Sequence, residues 1–73
     1  MDYLFDMLKV CSRNIPIEVY YRDLDLRYIG YPKDVLEYME DDYLDGGRPT
    51  YIFLTNIEEE GMSYGNGLYI ECE

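Results

Sequence analysis

Apolar positions near the N-terminus follow a helical spacing. Between residues 2 and 13 they recur every three or four positions, which places one set on a single helix face: Tyr3, Leu4, Met7, Leu8, Val10 and Cys11. The opposite face carries two acids and two bases, Asp2, Asp6, Lys9 and Arg13. Asn14 and Pro16 follow, and a proline disfavours helical geometry in the residue before it. The pattern predicts a helix over residues 2–13 with an ordinary solvated outer face.

The next segment changes to the two-residue period of β-strands. Residues 17–22 alternate apolar and polar side chains and are rich in β-branched and aromatic residues. Asp23, Leu24 and Asp25 predict a turn into a second strand over residues 26–29. Tyr20 and Tyr21 are neighbours on the first strand, so we expect them on opposite faces of the sheet.

A second helical period begins at Pro32, a residue type favoured at the first helical position. Its apolar stripe consists of Val35, Leu36, Met39 and Tyr43. We expect this helix to reach about Leu44. Asp45-Gly46-Gly47 should end it, because glycine can take the left-handed cap conformation.

Two further strands complete the predicted fold. Residues 50–55 read as a strand, and Asn66-Gly67 is a strong two-residue hairpin signal. That hairpin would place a strand at residues 68–72 and a short partner strand around residues 62–64. The predicted order is α-β-β-α-β-β, with or without the extra short strand at residues 62–64, in one domain over residues 1–73 of fold class α+β. An antiparallel sheet with two helices packed on one face accommodates this order best.

The net charge of −10 is confined to the second half of the chain. Residues 1–33 hold five acids and five bases, whereas residues 34–73 hold eleven acids and one base, Arg48. On the second helix the face opposite the apolar stripe carries Asp34, Glu37, Asp41 and Asp45, flanked by Glu40 and Asp42. Like charges four residues apart destabilise a helix. An arrangement that works against folding indicates a function, and the alternative is an ordinary solvated face.

The acidic row predicts a partner-binding surface. From Asp34 to Asp45 it would span roughly 16 Å at ~1.5 Å per residue. Its charge density is comparable with the one phosphate per ~3.4 Å of a DNA strand. Tyr38 lies at the edge of the row, and the loop of three glutamates would extend it if that loop folds alongside. The expected binding residues are Asp34, Glu37, Tyr38, Asp41, Asp42, Asp45, Glu58, Glu59 and Glu60.

Few residue types that support catalysis are present. The chain has no histidine, and it contains no serine-nucleophile motif, phosphate loop or CxxC, so we do not expect an enzyme. Cys11 and Cys72 without histidine argue against a zinc site, and we expect two buried thiols, with one disulfide as the alternative. A calcium loop starting at Asp41 fails because Tyr43 and Ile52 stand where oxygen ligands are required. We therefore expect no cofactor and no metal.

The N-terminal residues and the apolar runs do not resemble a signal peptide or a membrane helix. Acids at positions 2 and 6 are unlike the start of a signal peptide, and the apolar run at residues 51–54 is far too short for a membrane helix. The missing basic surface disfavours direct binding of nucleic acid. We expect a cytoplasmic protein, in the host cytoplasm if it is virus-encoded, with no membrane partner.

In general character the chain is small, acidic, rich in tyrosine and without catalytic residues. In this it resembles the phage and viral inhibitors that mimic DNA, such as anti-CRISPR and anti-restriction proteins. The resemblance implies a non-catalytic inhibitor whose acidic surface blocks a basic, nucleic-acid-binding site on a host protein. The alternative is a small structural or assembly subunit, including a homodimer, that uses a tyrosine-rich sheet surface as its interface. Several of the ten tyrosines could instead replace phenylalanine in the core.

Overall fold

The alternating segment forms a β-hairpin in the computed structural model, which describes residues 3–42, 44 and 47–73. Strands β1 (Ile17–Tyr21) and β2 (Leu26–Gly30) pair antiparallel, with Val19 opposite Tyr28. Every second residue of β1 is buried, as expected for a strand with one face on the core. Both strands lie where the alternation predicts them.

Helix α1 spans Tyr3–Val10 and buries Leu4 and Leu8 completely or almost so. The side chain of Val10 was expected in the core but is 83% exposed, so that assignment is wrong. At 3.6 residues per turn, a stripe centred on Leu4 and Leu8 lies about 140° around the helix from Val10. Asp2 and the side chain of Tyr3 fall outside what the structure describes.

Helix α2 spans Pro32–Asp41, with the proline in the first turn and Tyr31 as N-cap. It ends before the predicted Leu44, although the Leu44 N–H still donates to the Met39 carbonyl at 3.0 Å. The last turn contains no base, so its acids oppose the helix dipole and disfavour further helix. Tyr43, Asp45 and Gly46, which the prediction used, lie outside the described residues.

Strands β3 (Pro49–Glu59) and β4 (Met62–Cys72) form one long antiparallel hairpin. Its two-residue turn is Glu60-Gly61, with φ of 50° and 83°, as in the type I′ turns that suit the twist of paired strands. The predicted turn at Asn66-Gly67 is therefore wrong, because both residues lie inside β4. The short partner strand expected at residues 62–64 is part of that same strand.

The four strands form one mixed sheet in the order β2-β1-β4-β3. The fully antiparallel sheet that the sequence suggested is wrong, because β1 and β4 run parallel, with Ile17 opposite Leu68. Parallel neighbours need a long connection. Strand β2, helix α2 and strand β3 provide it here.

The main core joins both helices to β1, β2 and β4. Its buried members are Leu4, Leu8, Ile17, Val19, Tyr21, Tyr28, Val35, Met39, Ile70 and Cys72. The radius of gyration, 11.1 Å, matches the ~11 Å expected for a compact chain of this length. The predicted α+β class is confirmed, and the described residues form one small compact domain.

Candidate functional site

The outer face of α2 carries carboxylates that the sequence predicts for partner binding. Val35 and Met39 are fully buried, and this orientation leaves Glu37 and Asp41 exposed to solvent. Asp34 is half-buried beside Gly30. In the described part of the chain, no carboxylate of α2 takes part in an ion pair. The helix therefore presents negative charge that neighbouring bases do not neutralise.

Asp42, the C-cap of α2, has a structural role besides its charge. The Tyr28 hydroxyl donates to Asp42 Oδ2 at 2.6 Å, which ties the end of the helix to the middle of β2. Burial raises the pKa of Tyr28 to about 12, and the hydrogen bond to Asp42 contributes. The phenol consequently remains a donor well above neutral pH, and Asp42 remains exposed to solvent at the same time.

The helical part of the acidic row is shorter than predicted. Because α2 ends at Asp41, helical spacing applies only from Asp34 to Asp41, a rise of roughly 10 Å at ~1.5 Å per residue. Asp45, the predicted fourth carboxylate of the row, lies outside the described residues. Three carboxylates of the row, Asp34, Glu37 and Asp41, are thus on the regular helix.

One of the three glutamates at residues 58–60 is linked to α2 by way of a tyrosine on β4. The Tyr64 ring on β4 packs edge-on against Tyr31 at 6.1 Å between centroids. Partial burial raises the pKa of Tyr64, and the negative charge of Glu59 raises it further, with a smaller contribution from Tyr38. Glu59 and Tyr38 are therefore near enough to Tyr64 to influence its hydroxyl electrostatically. Tyr38 is itself 48% exposed on α2.

The other two glutamates have no such link to α2. Glu58 accepts a hydrogen bond from Asn56 Nδ2 at 2.7 Å, and Glu60 occupies the hairpin turn. We define the acidic patch by the residues that the structure brings together. It consists of Asp34, Glu37, Tyr38 and Asp41 of α2 with Glu59 and Tyr64 of the hairpin.

A basic cleft between the two helices escaped the sequence analysis. Lys9, Arg13 and Lys33 line a surface cleft of about 580 Å³, together with Leu8, Cys11, Ser12, Pro32 and Leu36. The ion pairs of the described residues involve Arg22 and Arg27 instead. Lys9 lies on α1 and Arg13 lies in the turn after it, and the packing of α1 against α2 brings Lys33 to both. Burial raises the pKa of the Cys11 thiol.

The sheet face that does not join the core carries balanced charge near β1. The Arg27 Nε atom lies 3.2 Å from Glu18 Oε2, and the guanidinium lies 5.0 Å from the centroid of the Tyr20 ring. The Tyr20 hydroxyl donates to Asp25 at 3.1 Å, and this bond is the main reason that its pKa is raised.

Aromatic rings continue this face toward β3. The Tyr51 and Phe53 ring centroids are 5.2 Å apart, and those of Phe53 and Tyr69 are 4.9 Å apart. The Tyr69 hydroxyl donates to Glu71 at 3.1 Å, and burial followed by this bond raises the pKa of Tyr69. We call this surface the tyrosine face, defined by Tyr20, Arg27, Tyr51, Phe53 and Tyr69.

Comparison with known proteins found no family model, no curated protein and no solved structure that matches the chain. Within the described residues, neither helix is long and apolar enough to cross a membrane. The acidic patch, the basic cleft and the tyrosine face are therefore interpreted from their own geometry.

Proposed function

We propose that the protein is a non-catalytic inhibitor that binds a basic, nucleic-acid-binding host protein through its acidic patch. In this proposal the carboxylates of α2 take the place of phosphates and block nucleic acid competitively, in the manner of an anti-CRISPR or anti-restriction protein. The observation that carries the proposal is that Glu37 and Asp41 face solvent, with half-buried Asp34 on the same helix. Among the described residues, none of the three takes part in an ion pair.

The energetic cost of this charge arrangement supports a binding function. Glu37 and Asp41 are four residues apart, and a like-charge pair at that spacing destabilises a helix by ~0.2–0.5 kcal/mol. Glu40, Asp41 and Asp42 crowd the C-terminal end of α2, where negative charge opposes the helix dipole. A partner rich in Arg and Lys would relieve both effects on binding.

Spacing and chemistry support the choice of partner. Successive carboxylates from Asp34 to Asp41 are separated by ~4.5–6 Å along the helix axis, compared with ~3.4 Å between phosphates of one DNA strand. Exposed Tyr38, next to Asp34 and Asp41 on the helix surface, offers an aromatic face on which an Arg guanidinium can stack. Tyr64 and Glu59 extend the same chemistry onto the hairpin.

The experiment combines capture with competition. Tagged protein is used to capture partners from host lysate at low and high salt, and each captured protein is then tested for loss of DNA binding as the inhibitor is added. A variant with Asp34→Asn, Glu37→Gln and Asp41→Asn should weaken capture and flatten its salt dependence.

A variant with Asp6→Asn, Asp23→Asn and Glu73→Gln provides the control, because it removes the same charge outside the patch. It also removes the exposed ion pair of Glu73 with Arg22 at 3.5 Å, a type of pair that contributes little to stability. Its binding should stay close to that of the unmodified protein. Equal loss in both triple variants would mean that net charge alone is responsible. Full-strength binding by the patch variant would refute the proposal.

The tyrosine face supports a second candidate, an assembly subunit that uses the sheet as its interface. Its rings and paired charges are typical of interfaces, where Tyr and Arg are enriched. Tyr20 belongs to this face, whereas Tyr21 is almost fully buried in the core and cannot serve as an interface residue. In this case Tyr20→Ala should dissociate an assembly detected by light scattering, and the patch variant should leave it intact.

A further inference from the structure

Strand β3 leaves one edge of the sheet unpaired along an apolar run. In the strand order β2-β1-β4-β3 it is a terminal strand, so among the residues that the structure describes only those of β4 pair with it. Four consecutive large side chains on β3, at residues 51–54, are exposed, from 41% at Phe53 to 77% at Leu54. Ile52 and Leu54 lie opposite Ile70 and Leu68, on the core side of the sheet, and remain uncovered all the same.

Natural proteins usually protect such edges with charges, prolines or bulges. Here these devices occur only at the two ends of the strand. Pro49 begins it, and irregularities in pairing occur between Pro49 and Tyr51 and between Ile57 and Glu58. From residue 51 to residue 57 the pairing with β4 is regular and no residue is charged. This middle part of β3 can therefore accept another strand.

We propose that β3 pairs antiparallel with β3 of a second copy, across a two-fold axis at Phe53. Along β3, every second residue directs its backbone N–H and C=O groups away from β4. In an antiparallel pair, such a residue must lie opposite a residue of the other copy that also directs these groups outward. The axis of a symmetric pair therefore passes through a residue, not between two. The uncharged segment of residues 49–57 is centred on Phe53.

The middle of β3 is complementary to a second copy of itself. Molecules with a net charge of −10 repel each other, but the uncharged centre of β3 lets two copies approach without bringing carboxylates together. An axis at Phe53 places Ile52 opposite Leu54 of the other copy, twice by symmetry, so that side chains exposed in one copy cover each other in the pair. This interface goes beyond the proposed function, because it does not involve the acidic patch.

Sedimentation over a concentration series tests the dimer. The unmodified protein should show a monomer–dimer equilibrium, and Leu54→Lys should raise the dissociation constant at least about tenfold, because each lysine would lie beside Ile52 of the other copy. Val10→Lys is the matched control, since it also replaces an exposed aliphatic residue by lysine. It should leave the equilibrium unchanged. The triple patch variant, which lowers the net charge from −10 to −7, should not weaken the dimer.

Cysteine crosslinking tests the axis. Only residue 53 lies opposite its own copy, so Phe53→Cys in a Cys11→Ser background should form an intermolecular disulfide on mild oxidation. Leu54→Cys should crosslink far less. A protein that stays monomeric, an open-ended series of larger species, or a dimer that Leu54→Lys leaves intact would each overturn the proposal. If the unmodified protein is monomeric and Leu54→Lys abolishes capture of a host protein, the edge of β3 binds that host protein and not a second copy.

Discussion

The Tyr28 hydroxyl donates a 2.6 Å hydrogen bond to the carboxylate of Asp42 and so fastens the end of α2 to β2. Tyr28 is largely buried in the core, whereas Asp42 lies in solvent as the C-cap of the helix. One bond thus connects the interior of the protein to the most acidic part of its surface. It also holds the last turn of α2 in place at the point where crowded carboxylates oppose helix formation.

Removing this bond should destabilise the fold modestly. We expect Tyr28→Phe to lower the free energy of unfolding by about 0.5–1.5 kcal/mol, the usual net value of such a bond. Tyr20→Phe is the matched control, because it removes a longer bond, 3.1 Å, between exposed groups. Urea unfolding of both variants measures the difference. Equal stability of the Tyr28→Phe variant and the unmodified protein would contradict the role given to this bond.

Tyr28 should also make the fold sensitive to alkali. Its pKa is about 12 in the folded protein and has an ordinary value of 10.0. Below pH 10 the phenol is neutral in both states, and its contribution to stability is fully present. As the pH rises from 10 through 12 the unfolded chain ionises first, so stability is lost. The urea midpoint should fall across this range, and less steeply for Tyr28→Phe; an equal fall would assign the effect to other tyrosines.

Neutralising the outer face of α2 should stabilise the isolated protein. Glu37→Gln together with Asp41→Asn removes a like-charge pair and a carboxylate near the C-terminal end of the helix. We expect a gain of roughly 0.5–1 kcal/mol at low salt. Asp34→Asn should have the opposite sign, because its charge lies in the first turn and favours the dipole. Thermal unfolding at low and high salt would show the gain shrinking with screening.

Gly67 should tolerate no side chain. A Cβ built there would lie 2.0 Å from the backbone oxygen of Pro16, whose carbonyl accepts the Leu68 N–H. Gly67→Ala must therefore push the start of β1 away from β4, and we expect a loss of ~2 kcal/mol or more. Gly65→Ala provides the comparison, since it meets no atom within 4 Å and strains only a positive φ. Similar unfolding midpoints for the two variants would contradict this account.

The sequence predicts local structure well wherever one face of an element is buried. The two-residue period locates β1 and β2, and the helical period identifies Val35 and Met39 as core residues of α2. The class α+β follows from these elements. The hydrophobic period predicts these elements because the residues of each buried face all lie within one short segment of the sequence.

The pairing of strands that are distant in the sequence cannot be predicted from the pattern within one short segment. The parallel partnership of β1 with β4 joins segments about fifty residues apart, and the local pattern of neither segment specifies it. Asn66-Gly67 has the composition of a turn, but Gly67 is present because Pro16 approaches it closely. The turn itself forms at Glu60-Gly61, a weaker local signal.

The candidate site shows the same limit. Helical spacing indicated the shared outer face of Glu37 and Asp41, which are exposed as expected. The grouping of Glu59 and Tyr38 around Tyr64 depends on where the β3–β4 hairpin lies relative to α2, which local spacing does not specify. The basic cleft depends on helix packing, so Lys33 could not be grouped with Lys9 and Arg13 from spacing alone.

The position of β4 in the sheet has a consequence for synthesis. It is the last element along the chain, yet it lies between β1 and β3 and supplies Ile70 and Cys72 to the core. A nascent chain therefore cannot complete the sheet until β4 has left the ribosome, and the apolar run of β3 emerges before its pairing strand. Such exposure before folding favours chaperone binding or aggregation.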